Sequence, residues 1–149
     1  MDHYLKSIER RDRFFDSIAD AIPQIVWRCR ADGWREYSNA RYALAVVVPV
    51  EASHGWGWLD FLHPEDVAEA RHTWMRALRN PEPFSREYRM RNVRSGRYRW
   101  YLVRCQPLFD ENGKLEGWSG TSTDVDESKR HETGLRMLTG TGRLLIGAH

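Results

Sequence analysis

Hydrophobic and polar residues follow two different periods along this chain, and the two periods predict both helices and strands. Between residues 4 and 22, apolar side chains recur at spacings of three, four and seven, a pattern typical of an amphipathic helix. Residues 24–30 and 117–124 instead alternate with period two, as strands do. On the second of these strands, one predicted face carries Trp118, Gly120, Ser122 and Asp124.

Turn signals place the other elements. Asp32-Gly33 and Asn112-Gly113 favour tight hairpin turns. Three further strands are predicted from Trp34 to Ser38, Phe84 to Val93 and Arg97 to Phe109, and the last strand, which includes the alternating residues 117–123, should begin at Lys114. Pro64 suits the first position of a helix that should end near Arg79. This order predicts an α+β fold: a five-stranded antiparallel sheet with helices on one face and a flanking helix at each end.

The same pattern divides the chain into three segments. Residues 1–22 are the N-terminal flanking helix, 23–124 the core, and 125–149 begin with a C-terminal helix. Asp124 or Asp126 can cap that helix, because a carboxylate accepts hydrogen bonds from the free N–H groups of a first helical turn. The apolar end of the last segment is either the opening of a further domain or a disordered tail.

Composition predicts a single domain in the cytoplasm. The 149 residues, 41% of them hydrophobic, suffice for one core. No apolar run approaches the roughly 20 residues of a membrane-spanning helix, and the N-terminus lacks the regions of a signal peptide. Cys29 and Cys105 have no partners at metal-ligand spacing, so both are predicted to be buried free thiols.

The sequence lacks the motifs of common catalytic sites, which predicts a binding or signalling module rather than an enzyme. An Arg-rich predicted hairpin raises the alternative of an RNA-binding surface. Its arginines are Arg86, Arg89, Arg91, Arg94, Arg97, Arg99 and Arg104. A net charge of only +2, with carboxylates nearby in the sequence, favours ordinary solvated sheet positions and no nucleic-acid partner.

Short motifs follow one another in a fixed order from residue 12 to residue 130. They are Ile22 to Trp27, Asp32-Gly33, Asn39, Gly55 to Trp58, His63 to Asp66, Glu87 to Arg89, Gly96 to Trp100 and Trp118 to Lys129. In this order they resemble the PAS sensor fold with its C-terminal PAC motif, of the PAS fold-3 type. The resemblance implies a non-catalytic sensory module that relays to the output domain of a larger signalling protein, such as a sensor histidine kinase of a two-component system or a diguanylate cyclase.

The resemblance also implies a space between helices and sheet that either holds a small-molecule ligand or is filled by side chains. The bulky residues that could line or fill it are Trp27, Tyr42, Trp58, Phe61, Leu62, Trp74, Leu78, Tyr88, Trp100, Leu102 and Trp118. Seven indoles favour a filled interior without a cofactor. The alternative is a haem-binding gas or redox sensor with His72 as the axial ligand. Flavin is not expected, because the Asn-Cys-Arg-Phe motif of the flavin photoreceptors is absent.

Two further roles come with the resemblance. Asp124 is expected to couple the last strand to the outgoing helix. Ile8, Phe15 and Ile22 lie at heptad spacing and would form a seam with a second copy of the helix in a homodimer. Packing of the same stripe on the chain's own sheet is the equal alternative.

Overall fold

The computed structural model describes residues 2–132 of the 149-residue chain, with the backbone alone for residues 2–5, 7, 8 and 16. Its helices are α1 (Asp2–Ala21), α2 (Ala40–Val46), α3 (Pro64–Arg79) and α4, which begins at Asp126 and is described to Glu132. Its strands are β1 (Ile25–Arg30), β2 (Arg35–Ser38), β3 (Phe84–Arg91), β4 (Tyr98–Phe109) and β5 (Leu115–Asp124). Short 3-10 helices, Val50–Ser53 and Gly57–Phe61, lie between α2 and α3. The predicted opening of a further domain lies outside the described residues.

The five strands form one antiparallel sheet in the order β2-β1-β5-β4-β3. The first and last strands of the chain are therefore neighbours, with Ile25 opposite Ser122. Sheet and helices confirm the predicted α+β fold. The predicted strand ends differ from the observed ones by one or two residues, which is the usual uncertainty of element ends.

The core lies between one face of this sheet and the helices that follow β2. Ile25, Trp27 and Cys29 are each 1% exposed, so β1 has the alternation that its sequence predicts. On β5, which lies beside β1 in the sheet, Trp118 packs edge-on against Trp74 of α3, with ring centroids 5.2 Å apart. Burial of these large rings removes much apolar surface from water, which is the main favourable term in folding.

Helix α3 begins where the sequence predicts and is tied to the edge strand β3 at its first turn. Pro64 occupies the first helical position, and the His63 ring accepts a hydrogen bond of 3.1 Å from the Glu65 N–H. The Asp66 carboxylate accepts two hydrogen bonds of 2.8 Å from Arg89, one from its backbone N–H and one from its guanidinium. This contact holds the N-terminal end of α3 against the edge of the sheet.

Candidate functional site

A small cavity remains between α3, the 3-10 helix Gly57–Phe61 and the inner face of the sheet. Its lining residues are Trp27, Arg35, Tyr42, Trp58, Leu62, Trp74, Tyr88, Met90, Val103 and Ser122. The volume open to the centre of a water molecule is about 20 Å³, which is room for about one water. Side chains thus fill most of the interior.

Nine of the eleven residues predicted for the interior line this cavity or belong to the core around it. Six line it: Trp27, Tyr42, Trp58, Leu62, Trp74 and Tyr88. The other three pack around it: Trp118 on Trp74, Phe61 on Tyr42, and Leu78 partly buried against the core.

The remaining two, Trp100 and Leu102, lie on the other face of β4. Tyr101 is buried and Val103 lines the cavity, so strand alternation turns their neighbours away from it. The Trp100 ring is covered instead by the guanidinium of Arg89, 4.8 Å from the ring centroid.

His72, the candidate haem ligand, is exposed on α3. The next two residues, Thr73 and Trp74, are the ones that α3 buries there. An exposed imidazole and a cavity of about 20 Å³ do not fit a haem in the described interior.

Arg35 is the functional candidate that the sequence analysis missed. Its side chain is 5% exposed, and its guanidinium carbon lies 4.5 Å from the ring centroid of Trp27 and 4.9 Å from that of Trp58. From the sequence alone, Arg35 is expected at a solvent-exposed position of its strand, because arginine is rarely buried. The register of the first hairpin, Cys29 opposite Arg35, is the signal that could have revealed its inward position.

Burial sets the electrostatics of this interior. It lowers the pKa of Arg35, although a guanidinium stays charged in proteins at neutral pH. It also raises the pKa of the Cys29 thiol to about 11, with the nearby Arg35 charge opposing the rise. Cys29 and Cys105 are both buried and free, as predicted, and as protonated thiols they are poor nucleophiles.

A second arrangement of polar groups lies where β5 passes into α4. Asp124 accepts a hydrogen bond of 2.9 Å from the Asp126 N–H and pairs with Arg99 at 2.7 Å. Asp126 is 4% exposed. Its carboxylate accepts hydrogen bonds of 2.9 Å from the Trp100 N–H and of 2.5 Å from the Arg130 guanidinium. Of the two caps that the sequence allows, Asp124 is the one that accepts a hydrogen bond from the first N–H of α4. Asp126 carries the buried link to the sheet instead.

The first turn of α4 also contacts the edge of the sheet. The Lys129 ammonium lies 2.7 Å from a carboxylate oxygen of Glu87 and 5.0 Å from the ring centroid of Trp100. The outgoing helix is therefore held by β3 and β4 as well as by the strand that leads into it.

Helix α1 leaves apolar side chains uncovered. Phe14, Phe15 and Ile18 are 67%, 52% and 45% exposed, while Ile22 is partly buried. Phe15 borders a groove on the outer face of the sheet. The Ile8 side chain lies outside the described residues, so the predicted seam is described only in part.

Three arginines of the Arg-rich hairpin are paired with carboxylates. Arg86 pairs with Glu69, Arg89 with Asp66, and Arg99 with Asp124. This pairing weakens the positive field that an RNA-binding surface requires.

The described residues hold no group of three or more metal-ligating side chains. Among the same residues, no helix is long and apolar enough to cross a membrane.

Comparison with known proteins gives the class of this chain. Residues 49–122 match the family model described as PAS fold. Over 143 residues the chain is 30% identical to the peroxide stress-activated histidine kinase mak3 of Schizosaccharomyces pombe, a match that covers 89% of this chain and 6% of that protein.

Two solved structures share the fold. A sensory box histidine kinase/response regulator from Burkholderia thailandensis matches with a TM-score of 0.65 and 24% identity, covering 87% of this chain and 97% of that one. The N-terminal domain of a diguanylate cyclase with PAS/PAC sensor from Marinobacter aquaeolei matches with a TM-score of 0.64 and 19% identity, covering 71% of this chain and 98% of that one.

The chain belongs to the PAS family, as its motif order predicts, and its described residues form a PAS domain. PAS domains are sensory modules that are generally non-catalytic, commonly dimerise and relay to output domains. The chain spans 14% or less of the length of the curated relatives it matches.

Proposed function

We propose that this chain is the sensory part of a larger signalling protein, in which the state of its interior changes the position of α4 and so the activity of an output domain. The junction at Asp126 carries the proposal, because a buried carboxylate ties the outgoing helix to the sheet. A histidine kinase is the output domain that the names of mak3 and of the Burkholderia thailandensis protein support. The Marinobacter aquaeolei domain supports a diguanylate cyclase as the second candidate.

A short chain of contacts joins the interior to this junction. The Trp27 indole lines the cavity and donates a hydrogen bond of 3.2 Å to the Ser122 hydroxyl on β5. Ser122 lies two residues before Asp124, which caps α4. A displaced Trp27 would therefore pull on the strand that positions the helix. Coupling between sites is typically about 1 to 3 kcal/mol, comparable to the value of a helix cap.

The test compares two neighbouring carboxylates in the full-length parent protein. Asp126→Asn should change basal or signal-dependent output, because it weakens the link between α4 and Trp100. Glu127→Gln alters the next, exposed position by the same chemistry and should leave output unchanged. Asp124→Ala should shift output as well, since it removes the cap. Normal output in Asp126→Asn, together with a lower melting temperature, would make Asp126 a structural residue only.

Self-association through α1 is a further part of the proposal. Three large apolar side chains, Phe14, Phe15 and Ile18, are more than two-fifths exposed on one helix. A second copy of α1 would cover them, as the heptad spacing of the predicted seam favours.

We also propose three properties of the chain that its sequence predicts. The chain has no catalytic activity of its own, binds no nucleic acid and lies in the cytoplasm. Residues 1–22 flank the core, 23–124, and residues 125–149 lead from the core towards the output domain.

A further inference from the structure

The interior holds a positive charge without a counterion among the described residues. Arg35 is 5% exposed and lines the cavity, and its Nε has no hydrogen-bond partner. None of the cavity-lining residues is an Asp or a Glu. A buried charge is strongly unfavourable unless it is paired, and arginine does not escape the cost by losing its proton.

Three more polar groups at the cavity lack partners, and all three can donate. They are the hydroxyls of Tyr42 and Tyr88 and the indole N–H of Trp58. The Trp27 indole differs, because it bonds to Ser122. Indole and guanidinium N–H groups cannot accept hydrogen bonds. Unpaired donors beside a positive charge are complementary to an anion and mismatched to any cation.

The cavity restricts the size of that anion. Its volume of about 20 Å³ matches one water-sized group, which suits a halide or formate and excludes a dicarboxylate or a nucleotide. Trp27 and Trp58 flank the guanidinium of Arg35 and hold it at the cavity. The guanidinium of Arg35 therefore stays inside the protein, where it would contact an anion that enters the cavity.

We infer that the interior binds one small monovalent anion of halide or formate size, held by the guanidinium of Arg35, the hydroxyl of Tyr42 and the indole N–H of Trp58. Its role as the sensed ligand rests on the proposed sensory function, whereas the binding itself does not. Because the anion binds only the folded chain, it stabilises that chain by mass action.

The experiment uses the purified chain at constant ionic strength in sodium gluconate, whose anion is too large for the cavity. Gluconate is replaced stepwise by chloride, nitrate or formate while the melting temperature and tryptophan fluorescence are recorded. Both signals should change saturably, since Trp27 and Trp58 border the site. Arg35→Met should abolish the saturable change. Arg104→Gln, at an exposed arginine, should retain it.

Conservative variants cover the case in which Arg35→Met does not fold. Trp58→Phe and Tyr42→Phe each remove one donor and keep most of the ring, so each should weaken binding about tenfold. Equal effects of all salts, or a saturable effect that persists in Arg35→Met or is unchanged in both aromatic variants, would overturn the inference. Such a result would leave the sensory function intact, because the Asp126→Asn experiment tests that function without any anion.

Discussion

The Asp126 carboxylate accepts a hydrogen bond of 2.9 Å from the backbone N–H of Trp100, which joins the first turn of α4 to the beginning of β4. Burial raises the pKa of Asp126, but hydrogen bonds from Trp100 and Arg130 outweigh it and lower the pKa below the ordinary value. A carboxylate whose pKa is lower in the folded than in the unfolded state contributes stability above its unfolded pKa, about 4. That contribution is lost as the pH falls through the folded pKa.

Asp126→Asn should lower the free energy of unfolding by about 2 kcal/mol at pH 7, because hydrogen bonds to a charged acceptor are stronger than those to an amide. Below about pH 4 the difference from the parent should shrink, since the parent carboxylate then also becomes neutral. Urea unfolding at several pH values measures both quantities. Glu127→Gln should stay within about 0.5 kcal/mol of the parent throughout. A constant difference at all pH values would contradict the role of the charge.

Asp66→Asn should make the stability of the domain fall less steeply as the pH is lowered. Burial raises the pKa of Asp66, but the side-chain and backbone hydrogen bonds from Arg89 lower it on balance. The parent should therefore lose stability as the pH falls below about 4, and the variant should lose less over the same interval. Thermal unfolding between pH 7 and pH 3 measures the two slopes. Identical slopes would mean that this ion pair contributes nothing to acid sensitivity.

Gly120→Ala should destabilise the domain by about 1 to 3 kcal/mol, as overpacked cores do. A methyl group there would overlap the Trp27 ring, which must then move. Gly113→Asn is the control. A β-carbon at this position would have no neighbouring atom within 4 Å, and asparagine tolerates the positive φ of 80° that Gly113 adopts. Urea midpoints of both variants decide the matter, and an unchanged midpoint in Gly120→Ala would show that Trp27 can shift at no cost.

Phe15→Glu should convert a dimer into a folded monomer if α1 pairs with a second copy. A charge in an apolar seam loses hydration without gaining a partner. Light scattering of the parent, of Phe15→Glu and of Ile8→Glu/Phe15→Glu gives the masses. Met75→Glu, at another exposed apolar residue, should leave the dimer intact. A parent that is monomeric at high concentration would mean that α1 packs on its own sheet.

The purified chain should be colourless, because its interior is filled by side chains and His72 is exposed. An absorbance spectrum between 300 and 600 nm, a range that covers the haem and flavin bands in general, is the measurement. A stoichiometric Soret band would contradict the expectation. Its loss in His72→Ala would then identify the ligand.

Local patterns were sufficient for the elements and for most of the interior. The period-two pattern of β1 predicted the buried positions of Ile25, Trp27 and Cys29, and the Asp-Gly and Asn-Gly pairs predicted the hairpins. These features depend on neighbours along the chain, so they can be read without knowing which strands pair. Local patterns could not predict the position of Trp100. The sequence does not show which face of the long strand β4 packs on the core, or which side chains cover the opposite face.

Sequence by itself determined the order of helices and strands, the α+β class and the PAS resemblance, since hydrophobic period and turn residues act over short distances. Only the tertiary structure decided that Arg35 lies in the interior and that Asp126, rather than Asp124, is the buried carboxylate of the junction. The environment of a charge depends on the groups that other segments bring to it. Pairing of β1 with β2 places Arg35 between two indoles, and the approach of β4 to α4 buries Asp126.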